Sequence, residues 1–419
     1  MSEDIRWLCG FDWASEKHHA CVLDAAGRRL GERDVDHGGA ELGEFCDWLI
    51  EKTGGTPAEI AVAIETSSGP VVETFLERGF PVFSINPKQL DRFRDRFSVA
   101  GAKDDSRDGW VLADSLRTDR PAFRRLSVED PVIIELREWS RMGDDLTAEL
   151  NRLGNRMREQ LWRYYPQALQ VAGDDLTAPW FLALWHQAPT PAKAAKLRQT
   201  TVERILAEHR IRRLDAAQVL LMLRQKPLTV APGATEAASG HIRLLLPRIR
   251  LTSDQLKAVH RRLDELCAKL EAPQESEPGQ GCEHRDATIL RSLPGVGRIV
   301  LATMLAEASE PLRRRDYHAL RALSGQAPIT RRSGKSCIVL RRYACNKRLA
   351  EALFHWSRVA MQHDPISRQR YAELRRRGKS HGRALRTIGD RLLFVACTLL
   401  ERGTLYEVNH ERAPAATAA

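Results

Sequence analysis

The sequence has no apolar run approaching the ~20 residues that a membrane-spanning helix needs, so a helical membrane protein is not expected. Its opening, MSEDIRWLCGFDW, lacks a basic head followed by an apolar stretch, and no secretory signal is read there. The expected location is the cytoplasm. Cysteine is present but unpatterned: Cys9, Cys21, Cys46, Cys267, Cys282, Cys337, Cys345 and Cys397 include no Cys-x-x-Cys pair. That argues against a disulfide framework in a chain that is neither small nor secreted. Cys282 and His284 lie close in sequence, yet a zinc site would need two more ligands at suitable spacing. Inert thiols are the expectation. An acidic surplus is missing too, with 65 Lys+Arg against 55 Asp+Glu and a net charge of +10. Wholesale disorder does not fit 43% hydrophobic and 29% charged residues. At 419 residues the chain is long for one core, and two or three domains are expected.

What is there is charge in concentrated form. Residues 331–348, RRSGKSCIVLRRYACNKR, hold seven basic residues and no acid. This is the electrostatic footprint of a phosphate-binding surface, with a solvated positive face as the plainer alternative. Residues 101–110, GAKDDSRDGW, do the reverse and put Asp104, Asp105 and Asp108 within five positions of a basic chain. On one helical turn Asp105 and Asp108 would be neighbours and would repel unless a cation lay between them.

The hydrophobic pattern gives the frame for both. IRWLCGFD reads as a strand ending at Asp12, HHACVLD as a second ending at Asp24, and GRRLGERDVD as a turn and a third. ELGEFCDWLIEK follows with Leu42, Phe45, Cys46, Leu49 and Ile50 on one helical stripe. EIAVAIE is apolar enough for a buried central strand and ends at Glu65. A helix GPVVETFLERG, closing at Gly79, precedes the strand FPVFSIN. The order β-β-β-α-β-α-β-α is that of a ribonuclease-H-like α/β fold. From about residue 127 a long helical pattern takes over. Leu136, Trp139, Leu146, Leu150, Leu153 and Met157 fit heptad positions, with Gly143 and Gln160 as imperfect ones. A second stripe, Leu256, Val259, Leu263, Leu266 and Leu270, predicts an antiparallel partner helix, with 231–240 (APGATEAASG) as a loose segment between. Residues 271–284 read as a linker, and helices are expected from there to about 405.

Three constellations could carry chemistry. In a ribonuclease-H-like sheet the first and fourth strand ends lie side by side, so Asp12 and Glu65 would meet, joined by Asp105 and Asp108 from a helix over that edge. Carboxylate oxygens suit hard divalent cations, and paired ions can clamp a phosphodiester. Asp104 is the rival to Asp105, and Asp114 lies a turn and a half further on. Second, LRSLPGVGRIVLATMLAE (290–307) resembles a helix-hairpin-helix, in which Gly295 and Gly297 would let backbone amides approach a phosphate; a tight turn with no ligand is the alternative. Third, Ser333 sits among Arg331, Arg332, Lys335, Arg341 and Arg342, with Lys347 and Arg348 beyond. A serine hydroxyl needs activation to act as a nucleophile, and cations steady charge on a phosphoryl group; a turn serine among phosphate-binding arginines is the alternative.

Together these segments resemble the DEDD transposases of bacterial insertion sequences, the bridge-RNA-guided serine recombinases. GFDWASEKHHACVLD resembles the family's first acidic strand, with Asp12. AIETSSGP resembles its second acidic motif, with Glu65. AKDDSRDGWVLAD is similar to its Lys-Thr-Asp-x-x-Asp-Ala segment and sets Lys103, Asp105 and Asp108 in place; Asp104 stands for the usual threonine and Gly109 for the alanine. LPGVGRIVLATMLAE and LSGQAPITRRSGKS look like its C-terminal domain, with Ser333 on the nucleophile. The resemblance implies a RuvC-like catalytic domain over 1–125 that binds Mg²⁺ or Mn²⁺. A helical coiled-coil region would follow over 126–270, a linker over 271–284, a mainly helical C-terminal transposase domain over 285–405, and a disordered tail over 406–419. It implies a covalent phosphoserine intermediate, donor and target DNA and an element-encoded structured RNA as partners, and a homo-oligomer, dimer or tetramer, sharing active sites between subunits at the bacterial nucleoid. A metal-dependent, structure-selective nuclease of the Holliday-junction resolvase type and a non-enzymatic nucleic-acid-binding protein are the rival readings.

Overall fold

The computed structural model describes residues 4–95, 105–272, 285–334 and 336–407, the side chains at 88, 105 and 106 excepted. The chain divides into two compact units, residues 1–130 and residue 131 onward.

The first unit starts as an antiparallel meander of β1 (Trp7–Asp12), β2 (Lys17–Asp24) and β3 (Arg29–Asp36), in which Asp12 faces His19 across the ladder. Helix α1 (Gly39–Thr53) buries the predicted stripe of Leu42, Phe45, Cys46 and Leu49. It ends at Gly54, whose left-handed backbone returns its N–H to the Ile50 carbonyl. Strand β4 (Ile60–Ile64) is buried at all five positions and runs parallel to β1, as a solid apolar run should. There follow α2 (Pro70–Glu77), β5 (Val82–Ser84), α3 (Pro87–Asp95), α4 (Asp105–Thr118) and β6 (Arg124–Arg125). The mixed sheet has the order β3-β2-β1-β4-β5-β6 and is compatible with a ribonuclease-H-like domain. One extra helix, α3, and the two-residue edge strand β6 were not read from the sequence; both lack a long apolar period.

Period-two alternation supplies both faces of the sheet. Cys9, Phe11, Val22, Val62 and Ile64 meet the Phe45 and Phe75 side of the core. Leu8, Cys21, Leu23, Ala61 and Ala63 meet Val111, Leu112 and Leu116 of α4. Helix α4 lies unusually close: a Cβ built on Gly10 would sit 1.8 Å from the Gly109 carbonyl oxygen and 2.6 Å from the Ala113 nitrogen.

Among the described residues the second unit is helical apart from one hairpin. Helix α5 (Pro131–Tyr164) leads into α6 (Pro166–Ala172), α7 (Pro179–Gln187), α8 (Pro191–Ala195), α9 (Gln199–Glu208) and α10 (Ala216–Leu223), then the long α11 (Ala234–Glu271). The ion pairs Glu135–Arg262 and Glu149–Arg248 step along α5 and α11 in opposite directions, so the two helices are antiparallel. Gly143 is no flaw in the heptad: its missing Cβ would stand 3.3 Å from Val259 Cγ1, and it lets α11 close in. The loose segment expected over 231–240 is corrected from residue 234 on, where Ala, Glu and Ser continue into α11 behind Gly233 in the left-handed region. Each end of the pair joins a core. Leu153, Met157, Ile242 and Leu245 pack with α6 to α10. Leu136, Val259, Leu263 and Leu266 pack with the helices that follow residue 285.

Those helices are α12 (Asp286–Ser292), α13 (Arg298–Glu307), α14 (Ser309–Arg313), α15 (Tyr317–Leu323), α16 (Lys347–His363), α17 (Pro365–Arg376) and α18 (His381–Arg402). Strands β7 (Ile329–Ser333) and β8 (Ser336–Leu340) form the hairpin between α15 and α16. The expected disordered tail over 406–419 starts too early, since Tyr406 is half-buried against this core and donates its backbone N–H to Ser292 Oγ at 2.9 Å.

Candidate active site

Parallel pairing of β1 with β4 sets Phe11 opposite Ile64, so Asp12 and Glu65 stand at neighbouring strand ends. Both are half-buried. Asp108 comes from the first turns of α4 and is only 2% exposed. One side chain ties two of these acids together. Arg94 of α3 donates from Nε to Asp108 Oδ1 at 2.8 Å and from Nη2 to Asp108 Oδ2 and Glu65 Oε1, both at 2.9 Å. Its Nη1 reaches Asp91 at 2.7 Å. Burial works against the charge of this guanidinium, but the Asp108 carboxylate, with Glu65 and Asp91, holds its pKa above the ordinary arginine value.

The sequence reading missed Arg94. The only available signal was the basic run around DRFRD, just ahead of the acidic knot. Among the described residues, which leave out the Asp105 side chain, no three His, Cys, Asp or Glu side chains are grouped to hold one ion. A guanidinium holds the space between Glu65 and Asp108. The donor set still fits a hard divalent cation. It is all carboxylate, and a carboxylate as buried as Asp108 requires a positive partner. Asp114, the rival further along α4, is committed elsewhere: Arg117 binds its Oδ1 through Nε at 2.9 Å and Nη2 at 2.5 Å. Lys103, Asp104 and the Asp105 side chain lie outside the described residues, as do Lys335, Cys282 and His284.

The basic constellation is spread over several elements. Ser333 ends β7 and pairs with Ser336 across a two-residue turn, where Gly334 has φ 56° as primed hairpin turns require. Alternate residues of a strand share a face, so Ser333 lies with Arg331, and Arg332 points to the other side. All are exposed. Arg341 stacks its guanidinium 5.1 Å from the Tyr343 ring centre, and Arg342 donates to the Ala327 carbonyl at 3.3 Å. Arg348 is drawn inward: it pairs with Asp144 and, at 3.5 Å, with Asp145, tying α16 to α5. Lys347 stays exposed at the start of α16.

The Leu-Pro-Gly-Val-Gly turn divides its two glycines. Gly295 has φ 84° and turns its Cα toward α16, where a Cβ would meet the Ala360 nitrogen at 2.8 Å. The adjacent Pro294 carbonyl accepts from Trp356 Nε1 at 2.8 Å. Packing accounts for Gly295 without a ligand. Gly297 opens α13 with nothing within 4 Å of a built Cβ, so its surroundings leave room for a phosphate.

These two groups of residues coincide with two family matches. A model of IS110-type DEDD transposases covers residues 9–166, and one described as the transposase IS116/IS110/IS902 family covers 287–372. Asp12, Glu65, Asp105 and Asp108 fall in the first segment and Ser333 in the second. A mini-circle putative transposase for IS117 from Streptomyces coelicolor is 33% identical over 401 residues, 94% of each chain. The chain belongs to the IS110 family of insertion-sequence transposases. The putative transposase y4uE of Sinorhizobium fredii is 57% identical over 217 residues, which span 52% of this chain and 60% of that one. The insertion element IS110 43.6 kDa protein of S. coelicolor is 28% identical over 415 residues, 97% of this chain. No helix among the described residues of this transposase is long and apolar enough to cross a membrane.

Proposed function

We propose that the chain cuts and rejoins DNA strands through a covalent bond to Ser333. In the first step the serine hydroxyl gives up its proton and its oxygen bonds to phosphorus. The bond from phosphorus to the leaving deoxyribose oxygen breaks, and that oxygen takes up a proton. Attack by the hydroxyl of a different strand reverses these events, releases the serine and seals the new junction. No bond energy is lost to water, so exchange needs no external energy source.

Arg331 on the face of Ser333, with Arg341 nearby in sequence, would hold the phosphodiester and oppose its growing charge. Asp12, Glu65, Asp105 and Asp108 would hold Mg²⁺ or Mn²⁺, which supplies positive charge to the phosphoryl and departing oxygens when bound. Arg94 is counter-charge to two of these acids. The ribonuclease-H-like reading of the first unit, the donor and target DNA, the element-encoded guide RNA and a dimer or tetramer that joins the acids of one subunit to the serine of another belong to the same proposal.

What supports it most is the meeting of Asp12 and Glu65 at adjacent parallel strand ends, with Asp108 linked to Glu65 through one guanidinium. Asp105→Asn tests it. We expect strand cleavage to fall by at least about 10²-fold, the scale of losing one well-placed electrostatic group, while nucleic-acid binding in a gel-shift assay stays within about twofold. Unchanged cleavage would remove Asp105 from the site.

A further inference from the structure

A cavity of about 250 Å³ lies where the segment after β8 meets the surrounding helices, and apart from Arg341 the strand-transfer scheme uses none of its walls. Its walls come from the end of α15, the segment after β8, α16 and the first turns of α18. Two polar atoms there have no partner among the described residues. Ser324 is 1% exposed, and its Oγ makes no hydrogen bond; neither does the buried Oε1 of Gln326. An orphaned buried hydroxyl or amide oxygen costs about 1–3 kcal/mol, so such atoms mark a place where something else binds.

The cavity is positive as well. Arg341 and Arg386 line it, and among the described residues neither forms an ion pair. Burial, then Arg341 and Arg383, push the Arg386 pKa below the usual arginine value. Like charges gathered without an acid call for an anion. Gly389 of α18 packs directly against two of these walls: a Cβ there would stand 2.7 Å from Ser357 Oγ and 3.3 Å from Gln326 Oε1. At the rim Phe354 is 38% exposed, a flat apolar surface next to the cations.

We infer that this cavity binds one nucleotide of an unpaired strand. Its phosphate sits between Arg341 and Arg386 and accepts from the Ser324 hydroxyl. Gln326 Oε1 accepts from an N–H or O–H of the nucleoside, which explains why an acceptor is left unmet beside a cluster of donors. Phe354 stacks on the base, as aromatic side chains do in single-strand sites. The volume lies just under the ~300–1,000 Å³ range of ligand pockets, enough for a single unit and too small for a duplex. The choice of a nucleotide rests on the reading of this chain as a nucleic-acid enzyme; the anion site itself does not.

The test is calorimetric titration of the full-length protein with dAMP, with inorganic phosphate and with deoxyadenosine, followed by competition between a gapped duplex and a fully paired one. We expect dAMP to bind at least about tenfold more tightly than phosphate or the nucleoside alone, because both halves of the pocket contribute. Arg386→Gln and Ser324→Ala should each weaken dAMP binding about tenfold and abolish the preference for gapped DNA, with the melting temperature preserved. Gly389→Ala should displace the Gln326 amide and weaken dAMP binding, and the first two variants carry the test if it fails to fold. Equal affinity for phosphate and dAMP would reduce the site to an anion hole and overturn the inference. So would dAMP binding that neither variant alters, or none at millimolar concentration. Any of these results would leave a Ser333 adduct untouched, so the two readings fail separately.

Discussion

An arginine that grips carboxylates from two different elements does what a divalent ion would otherwise do there. It cancels their repulsion and satisfies a buried oxygen pair. Arg94 links α3 to Glu65 and Asp108 in this way. Breaking a fully buried ion pair costs about 3–5 kcal/mol; Arg94 is 26% exposed at its side chain, and solvent screening brings the expectation to about 2 kcal/mol. Arg94→Ala should therefore lower the melting temperature of the protein in EDTA by several degrees. Mg²⁺ should restore more of that loss than it adds to the unmodified chain, since the ion no longer competes with a guanidinium. Thermal scans with and without Mg²⁺ check this, and a variant that gains no more from Mg²⁺ than the parent would show that ion and arginine do not share the place. Asp12 and Glu65 were legible as single residues because strand ends are set by the apolar runs before them. Arg94 was not, because its role depends on where α3 turns back over the sheet, and no local pattern carries that.

The elements themselves were easier to read than their contacts. The apolar run of β4 and the stripe of α1 follow directly from period and burial, and both formed where expected. What the pattern could not convey is distance. Gly10 allows backbone-to-backbone contact between α4 and β1 with no room for a Cβ, whereas a Cβ on Gly109 would be tight only against His19 Cδ2 at 3.2 Å. This contact fixes the height of Asp108 above the strand end. Gly10→Ala should then push α4 from the sheet and destabilise the unit by more than the ~1–3 kcal/mol typical of overpacking, because the blocking atoms are backbone. Circular dichroism during urea unfolding measures it, and a midpoint near that of the unmodified chain would mean that α4 can shift at little cost. A similar limit applies to Gly143 and Gly295. Sequence marked the first as a weak heptad position and the second as a phosphate contact, while packing against Val259 and against α16 accounts for both. The hairpin of β7 and β8 was not legible as a hairpin: its exposed Ile338 and Val339 offer no buried face from which a period could be recognised.

On the scale of the whole chain, acids and serine are kept in separate units: Asp12, Glu65 and Asp108 precede residue 130, and Ser333 lies in the second unit. This division was visible in the sequence as a change from alternating strands and helices to long heptads. The sharing of cores was not. Helices α5 and α11 each contribute to two hydrophobic cores, one with α6 to α10 and one with the helices beyond residue 285, so the paired helices are structural members of both. Neither unit holds all the groups that the proposed strand exchange would use, and the account stands or falls on whether Ser333 becomes bonded to DNA. The most direct measurement mixes the purified protein with its element-derived RNA, Mg²⁺ and labelled donor DNA, denatures the mixture and resolves it on a gel beside Ser333→Ala. The account predicts a DNA–protein adduct that disappears in the variant. Cleaved DNA without an adduct, equally abundant in Ser333→Ala, would contradict it and make the chain a nuclease that uses water.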